Sequence, residues 1–149
     1  MSDYFEYTLD KFTFYVPKDR YYNPEGLWAK ADGDRVTVGV TDFFQQHNGD
    51  VAFAEVEAEG TAISANKEFA TIESIKVDLE LPCPVSGVIE VVNERLDLEA
   101  EIINQDPYGA GWLAVIKAAD WAGDQAKLMT PEAYFEHMIR QAEEETKGL

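Results

Sequence analysis

The sequence predicts a mainly β domain: a small sandwich or barrel of short strands, with short helices and one C-terminal helix. Three observations predict it. Short stretches alternate apolar with polar residues, turn residues separate these stretches, and one long amphipathic pattern follows Thr130. Because 46% of the 149 residues are apolar, the chain can bury a core, and its length fits one domain.

The first half of the chain predicts three strands and a short helix. An edge strand falls around 12–14, within an aromatic and turn-rich stretch, and a second strand covers 35–40. Thr41 has the hydroxyl of a helix N-cap, so a short helix is expected over 42–46. A third strand covers 50–56, and its inward-facing residues are expected to be Val51, Phe53 and Val56.

The second half predicts four more strands and the C-terminal helix. The strands are expected over 69–73, 77–81, 87–92 and 112–116. Thr130 and Pro131 mark a helix start, because a capping hydroxyl precedes a proline at the first helical position. This helix is expected to bury Phe135, Met138, Ile139 and Ala142. We therefore expect a single domain over 1–149, with a core of about 28–118 and a C-terminal helical segment of about 120–146.

The charge of the chain excludes two classes of partner. Lys and Arg number 12 against 29 Asp and Glu, which gives a formal net charge of −17. Such a charge repels phosphate backbones and anionic lipid headgroups, so we expect neither a nucleic-acid partner nor a membrane partner. Basic protein surfaces are the partners that this charge favours. A saline habitat is the alternative explanation of the same acidity.

The termini and the apolar stretches predict a cytoplasmic location. The first residues lack the basic and apolar regions of a signal peptide. The longest strongly apolar stretch, 112–116, is far too short to cross a bilayer. The chain has one cysteine, Cys83, which excludes an internal disulfide framework.

The common catalytic and metal-binding motifs are absent from the sequence. It has no phosphate-binding GxxxxGK[ST] loop, no HExxH and no GxSxG. His47 and His137 have no further ligand at a suitable spacing, so no metal site is predicted. Glu55 and Glu57 alternate on a strand and are expected to face water. Cys83 lies between two prolines and is expected to be a small residue packed in the interior. We therefore predict no catalytic residues, and a protein that is not an enzyme.

One lysine stands out because of its place in the strand pattern. Lys76 is the only cationic residue between Lys67 and Arg95, and it lies where one predicted strand ends and the next begins. This placement is typical of a hairpin tip, which exposes a side chain that the core does not need. A modifying enzyme can reach a lysine at such a tip.

The residues around Lys76 resemble a known family. Glu73-Ser74-Ile75-Lys76 is similar to the ESVK lipoylation site of glycine-cleavage H proteins. The similarity extends over most of the chain, from about Trp28 to the C-terminal helix. Its motifs are Val38-Gly39-Val40-Thr41-Asp42, Gly49-Asp50-Val51, Pro84-Val85-Ser86-Gly87, Glu90-Val91-Val92-Asn93-Glu94, and the run from Ile103 to Gly109 with Gly111-Trp112.

The resemblance implies a fold, a cofactor and site residues. The fold is the lipoyl-type barrel-sandwich hybrid of two small sheets, with the modified lysine at a hairpin tip. The cofactor is lipoic acid, attached covalently to Lys76. In the family, an acid three residues before the lysine and particular glycines serve recognition by the lipoate-attaching enzyme, and here these residues are Glu73, Gly60 and Gly87.

Several stretches depart from the usual family pattern. Gly26 replaces an early histidine, Asn66 replaces a glycine, and 54–57 and 77–83 are rewritten. Three stretches, 41–46, 52–56 and 75–82, resemble more closely the H-like lipoate-binding proteins of heterodisulfide-reductase-like sulfur oxidation. That resemblance implies a carrier whose lipoylated lysine shuttles a sulfur-bound intermediate and electrons to a heterodisulfide-reductase-like complex, with reoxidation by a dihydrolipoamide dehydrogenase.

Two alternatives stay open at this point. The first is a glycine-cleavage system H protein, which carries an aminomethyl group between glycine decarboxylase and aminomethyltransferase. The second belongs to another class and is an interaction module that carries no modification. The lysine separates the carrier hypotheses from the second alternative, because only a carrier needs Lys76 to be modified.

Overall fold

The computed structural model describes residues 3–147, in eleven strands, four α-helices and one 3-10 helix at Glu94–Asp97. The strands are β1 (Tyr4–Leu9), β2 (Phe12–Pro17), β3 (Tyr21–Tyr22), β4 (Leu27–Asp32), β5 (Arg35–Val40), β6 (Val51–Val56), β7 (Ala62–Ile63), β8 (Glu68–Ser74), β9 (Asp78–Pro82), β10 (Gly87–Val92) and β11 (Ala114–Ala118). The helices are α1 (Asp42–Asn48), α2 (Ile102–Gln105), α3 (Trp121–Lys127) and α4 (Pro131–Lys147). Residues 1, 2, 148 and 149 of the predicted domain lie outside this description.

The strands form three antiparallel sheets. The largest has the order β3-β4-β5-β11-β10-β7, the second has the order β6-β8-β9, and β1 pairs with β2 in a separate hairpin. The prediction of a mainly β fold with short helices and a C-terminal helix is confirmed. The hairpin of β1 and β2 adds a third sheet to the two that the resemblance implied.

The main core lies between the six-stranded and three-stranded sheets. Val36, Val38 and Val40 of β5 are fully buried, as their alternation predicted. Opposite them, Phe69 and Ile72 of β8 join the same cluster of buried side chains. The two sheets therefore bury one common apolar interior, and β8 is fixed by residues that face away from water.

A second cluster covers the other face of the six-stranded sheet. Trp28 of β4 packs there with Tyr134 and Met138 of α4 and with Phe14 and Val16 of β2. The indole Nε1 of Trp28 donates to the carbonyls of Val40 at 2.9 Å and Pro107 at 3.0 Å. Of the predicted face of α4, Met138 and Ala142 are buried and Phe135 and Ile139 are partly buried. Tyr134 is a further buried member, and the N-terminal hairpin packs against this helix.

The start signals of α1 and α4 act as predicted. The Thr41 hydroxyl accepts a hydrogen bond from the Phe44 amide at 3.1 Å and caps α1. Helix α4 begins at Pro131, and the Thr130 hydroxyl accepts from the Ala133 amide at 3.2 Å. Within residues 3–147, no helix is long and apolar enough to cross a membrane.

The predicted orientation of one side chain is wrong. Phe53 was expected to point inward with Val51, but its side chain is 68% exposed while Val51 is buried. The register between β6 and β8 shifts between Val51 and Phe53, where the pairing has a bulge. Because one extra residue reverses the alternation, Ala54 and Val56 turn inward and Phe53 turns outward.

Candidate functional site

The tip of the β8–β9 hairpin is a tight turn shaped by one serine. Strands β8 and β9 pair up to Glu73 and Asp78, so the turn carries Lys76 near its centre, as predicted. The hydroxyl oxygen of Ser74 accepts hydrogen bonds from the amides of Lys76 and Val77, at 3.1 Å each. This side chain satisfies turn amides that no strand partner reaches, and it holds the tip in one shape.

The tip rests on the segment between α1 and β6. The amide of Ile75 donates to the carbonyl of Asp50 at 3.1 Å. Asn104 of α2 fixes this segment from behind, because its side chain accepts from the Val51 amide at 2.9 Å and donates to the Gly49 carbonyl at 3.1 Å. The root of the Lys76 side chain is therefore held by residues from three separate parts of the chain.

The ammonium group of Lys76 lies at the C-terminal end of α1. Its Nζ donates to the backbone carbonyl of His47 at 2.9 Å, while the side chain stays exposed. The last carbonyls of a helix have no partner within the helix and carry partial negative charge, so a cation is favoured there. Gly49 leaves room for this approach, because a Cβ at that position would lie 3.0 Å from the Lys76 Cδ and the lysine side chain would have to shift.

His47 itself is held by two neighbours. Its ring stacks on Phe43, with 5.6 Å between ring centroids and an interplanar angle of 4°. Its Nδ1 lies 3.0 Å from the Glu145 carboxylate of α4. The carbonyl that receives the lysine thus belongs to a residue of α1 whose ring also contacts α4.

The four predicted site residues do not form one cluster. Glu73 lies on β8, beside the tip, with its side chain exposed. Gly60 lies in the turn between β6 and β7, where its amide donates to Ile89 of β10. Gly87 begins β10 and pairs with Ala118 of β11. Lys76 and Glu73 therefore share the hairpin, while the two glycines belong to the region of the six-stranded sheet.

Sequence reasoning missed the residues that hold the lysine. Ser74 and Asn104 lie inside the motifs that carried the resemblance, so a signal for both was present. Gly49 lies inside such a motif as well, whereas His47 had no signal, because only the folded chain brings the end of α1 against a tip nearly thirty residues away. Each supports the lysine through a backbone group or a turn and has no reactive role of its own.

The remaining candidate groups are occupied or buried. Nε2 of His137 lies 3.0 Å from the Pro24 carbonyl, and His47 pairs with Glu145. Burial raises the pKa of the Cys83 thiol to about 12, which keeps it in the unreactive thiol form. Across the described part of the chain, no group of three His, Cys, Asp or Glu side chains is placed to hold a metal ion.

Comparison with known proteins identifies the family. The family model described as "Glycine cleavage H-protein" matches residues 20–141. The chain belongs to the glycine cleavage H-protein family. The glycine cleavage system H protein of Salinibacter ruber is 42% identical over 122 residues, which are 81% of this chain and 97% of that protein. The probable glycine cleavage system H protein of Haloarcula marismortui is 39% identical over 82% of this chain and 95% of its own.

A solved structure of this family has the same fold. The crystal structure of a glycine cleavage system H protein from Mycobacterium marinum aligns with a TM-score of 0.73 and 32% identity. The alignment covers 80% of this chain and 95% of the other. The matched family region begins at residue 20, so the hairpin of β1 and β2 precedes it.

Membership of the family decides the class of protein and its cofactor. Glycine cleavage H proteins are carrier proteins and not enzymes, which confirms the prediction of a carrier. They carry lipoate attached covalently to a lysine, so the cofactor of this chain is lipoic acid. The resemblance to the H-protein family is confirmed at this level.

The prediction of a sulfur-oxidation carrier is wrong. Relatives about 40% identical over most of the chain are glycine cleavage system H proteins. The stretch 75–82, one of those that favoured the sulfur pathway, covers the hairpin tip and β9 here, with Leu81 buried in the core and Asp78 and Glu80 exposed. Because inward residues of a strand serve packing and outward ones face water, such changes do not identify a pathway.

Proposed function

We propose that this chain is the lipoyl carrier of glycine cleavage. Lys76 carries the lipoic acid in amide linkage, and the chain moves an aminomethyl group from glycine decarboxylase to aminomethyltransferase. The partners are these two enzymes, a lipoate-attaching enzyme and a dihydrolipoamide dehydrogenase. The proposal takes residues 1–149 as one carrier domain, with Glu73, Gly60 and Gly87 recognised by the attaching enzyme.

The observation that carries the proposal is the position of Lys76. It stands exposed at the centre of a turn that Ser74 closes and that the segment before β6 supports. A rigid tip presents one lysine at a fixed place, which is what an attaching enzyme needs in order to modify it and no other lysine. A long arm on such a tip also moves freely, because its root takes no part in the core.

Modification changes the charge at the tip. The Lys76 ammonium bonds to the His47 carbonyl, at the negative end of α1. Formation of the amide removes the positive charge and leaves a single N–H, so the attraction to the helix end is lost. A neutral arm then enters an apolar active site without burying an ion.

The attached group supplies the reactive chemistry. When attached, the lipoyl group would supply a disulfide: as the carbon of decarboxylated glycine bonds to one sulfur, the S–S bond would break and the other sulfur would become a thiol. The chain itself supplies the fixed tip, the supporting carbonyl of His47 and the docking surfaces. Its own thiol, Cys83, is buried and is not available for exchange with the arm.

Mass spectrometry of the chain from its native source tests the attachment. We expect one lipoyl group per chain, mapped to the peptide that contains Lys76. The variant Lys76→Arg keeps the positive charge and should carry none, while Lys67→Arg, a change of the preceding lysine, should be modified as fully as the wild type. An unmodified wild-type chain would support the interaction module and would contradict the proposal.

The second step tests the pathway. The lipoylated chain is incubated with glycine and glycine decarboxylase, beside a known H protein as control. We expect both proteins to gain the mass of an aminomethyl group and to lose it when aminomethyltransferase and its acceptor are added. A lipoylated chain that stays unloaded while the control loads would refute a role in glycine cleavage.

A further inference from the structure

The outer face of the β6-β8-β9 sheet is exposed, and its side chains follow a simple order. In the row next to the tip, Phe53, Glu73 and Asp78 lie opposite one another on the three strands. In the next row, Glu55, Thr71 and Glu80 do the same. Directly opposed residues share one face of a sheet, and all six of these side chains are exposed.

Large apolar side chains are exposed at the tip and in the first row of this face. Phe53 is 68% exposed, Ile75 is 76% exposed and Val77 is 40% exposed. The bulge in β6 is what turns the phenyl ring of Phe53 outward, since the regular alternation would have placed it in the core. Bulges of this kind occur beside functional sites, where they re-aim a side chain.

Carboxylates surround this apolar group and extend along the sheet. They are Glu55, Glu57, Glu68, Glu73, Asp78 and Glu80. None of the six forms an ion pair with another residue in 3–147. Four of them, Glu55, Glu57, Glu68 and Glu80, line a groove of about 510 Å³ at the end of the face away from the tip.

The charges on this face repel one another. A hydrogen bond that the protonated Glu68 carboxyl donates to Glu80, together with the negative charge of Glu80, raises the pKa of Glu68. Cations supplied by a partner would relieve this repulsion. A second copy of this chain would instead bring the same carboxylates against these, and nucleic acids and anionic lipids are repelled in the same way.

We propose that this sheet face is the surface on which glycine decarboxylase docks, through an apolar recess ringed by Lys and Arg side chains. The recess takes the phenyl ring of Phe53, and the partner's cations lie against the carboxylates. The arm leaves from the edge of the docked area, so that its free end reaches the active site beside it. This inference rests on the proposed function, since it names the partner's surface for that carrier.

Charge reversal with a matched control tests the inference. The double variant Glu55→Lys/Glu80→Lys alters the face without touching the tip, and Glu25→Lys/Glu136→Lys makes the same change of net charge at exposed positions elsewhere. Both are lipoylated and loaded by glycine decarboxylase at several salt concentrations. We expect the first to raise the KM for the carrier about tenfold at low salt, with kcat within about twofold, and the control to change KM by less than about twofold.

The apolar part is tested separately with Phe53→Ser. This variant should raise the KM by a similar factor at low and high salt, because loss of an apolar contact does not depend on screening. Equal effects of the two charge reversals, or a normal KM for Phe53→Ser, would overturn the inference while the wild type still loads. If the wild-type chain itself is not loaded, the proposed function fails, and the inference fails with it.

Discussion

The two glycines assigned to recognition by the attaching enzyme have different surroundings, and this difference gives a quantitative prediction. A Cβ at Gly87 would lie 2.0 Å from the carbonyl oxygen of Lys117 and 2.8 Å from its carbon. Both are backbone atoms of β11, so no side-chain rotation relieves the overlap. We expect Gly87→Ala to force β10 and β11 apart and to lower the free energy of unfolding by about 3 kcal/mol.

Gly60 provides the matched comparison. No atom lies within 4 Å of a Cβ built there, so a side chain would meet no steric overlap. Its one penalty would be the backbone strain of a φ of +91°. A residue other than glycine in this conformation costs about 1 kcal/mol, part of which is offset by the reduced freedom of the unfolded chain. We therefore expect Gly87→Ala to lower the Tm by about 10 °C and Gly60→Ala by about 3 °C or less.

Thermal unfolding followed by circular dichroism measures the stability of both variants. The rate of lipoylation, measured at a temperature where each variant is folded, measures recognition. Gly87→Ala melting within about 2 °C of the wild type would refute the argument from close approach. If Gly60→Ala is lipoylated at the wild-type rate, the attaching enzyme does not need this glycine for recognition.

Three further predictions concern the tip, the thiol and the outer sheet face. Asn104→Ala leaves two backbone groups beside the tip without partners, so we expect urea unfolding to show a loss of about 2 kcal/mol; an unchanged midpoint would contradict this. Cys83, whose pKa burial raises to about 12, should not react with a thiol reagent at neutral pH until denaturant is added, and rapid labelling of the folded chain would refute its burial. Because Glu80 raises the pKa of Glu68, the stabilising contribution of Glu68 is present below its unfolded pKa and is lost as the pH rises through the raised value. Glu80→Gln should therefore raise the Tm at about pH 7 more than at about pH 4, and an equal change at both would contradict the prediction.

The sequence predicted those strands and helices that are determined by residues close together in the chain. The valines of β5 alternate because one face of that strand meets the main core, and Thr41 and Pro131 mark helix starts through groups within one turn of the helix. Strand β4 was not predicted, since Leu27, Trp28 and Ala29 are all buried and show no alternation. The six-stranded sheet is covered on both faces there, by the main core and by the second cluster.

Two features of the site depend on contacts between distant parts of the chain. The orientation of Phe53 follows from a bulge in the pairing with β8, and a strand read alone has no register. The contact of Lys76 with the His47 carbonyl depends on how α1 meets the hairpin tip. The motif around Lys76 therefore located the tip. The segment between α1 and β6 that supports the tip could be recognised only in the folded chain.

The error about the pathway has the same physical origin. Strand β9 has two sets of residues, and the set that faces inward, including Leu81, is selected by packing against the six-stranded sheet. The outward set, Asp78 and Glu80, is free to change with the partner that the face meets. A sequence comparison that treats all residues of β9 alike therefore mixes residues that determine packing with residues that meet a partner. The tip motif resembles that of glycine cleavage H proteins, and under the docking proposal the acidic outer set matches the surface of the partner enzyme and does not indicate a different cargo.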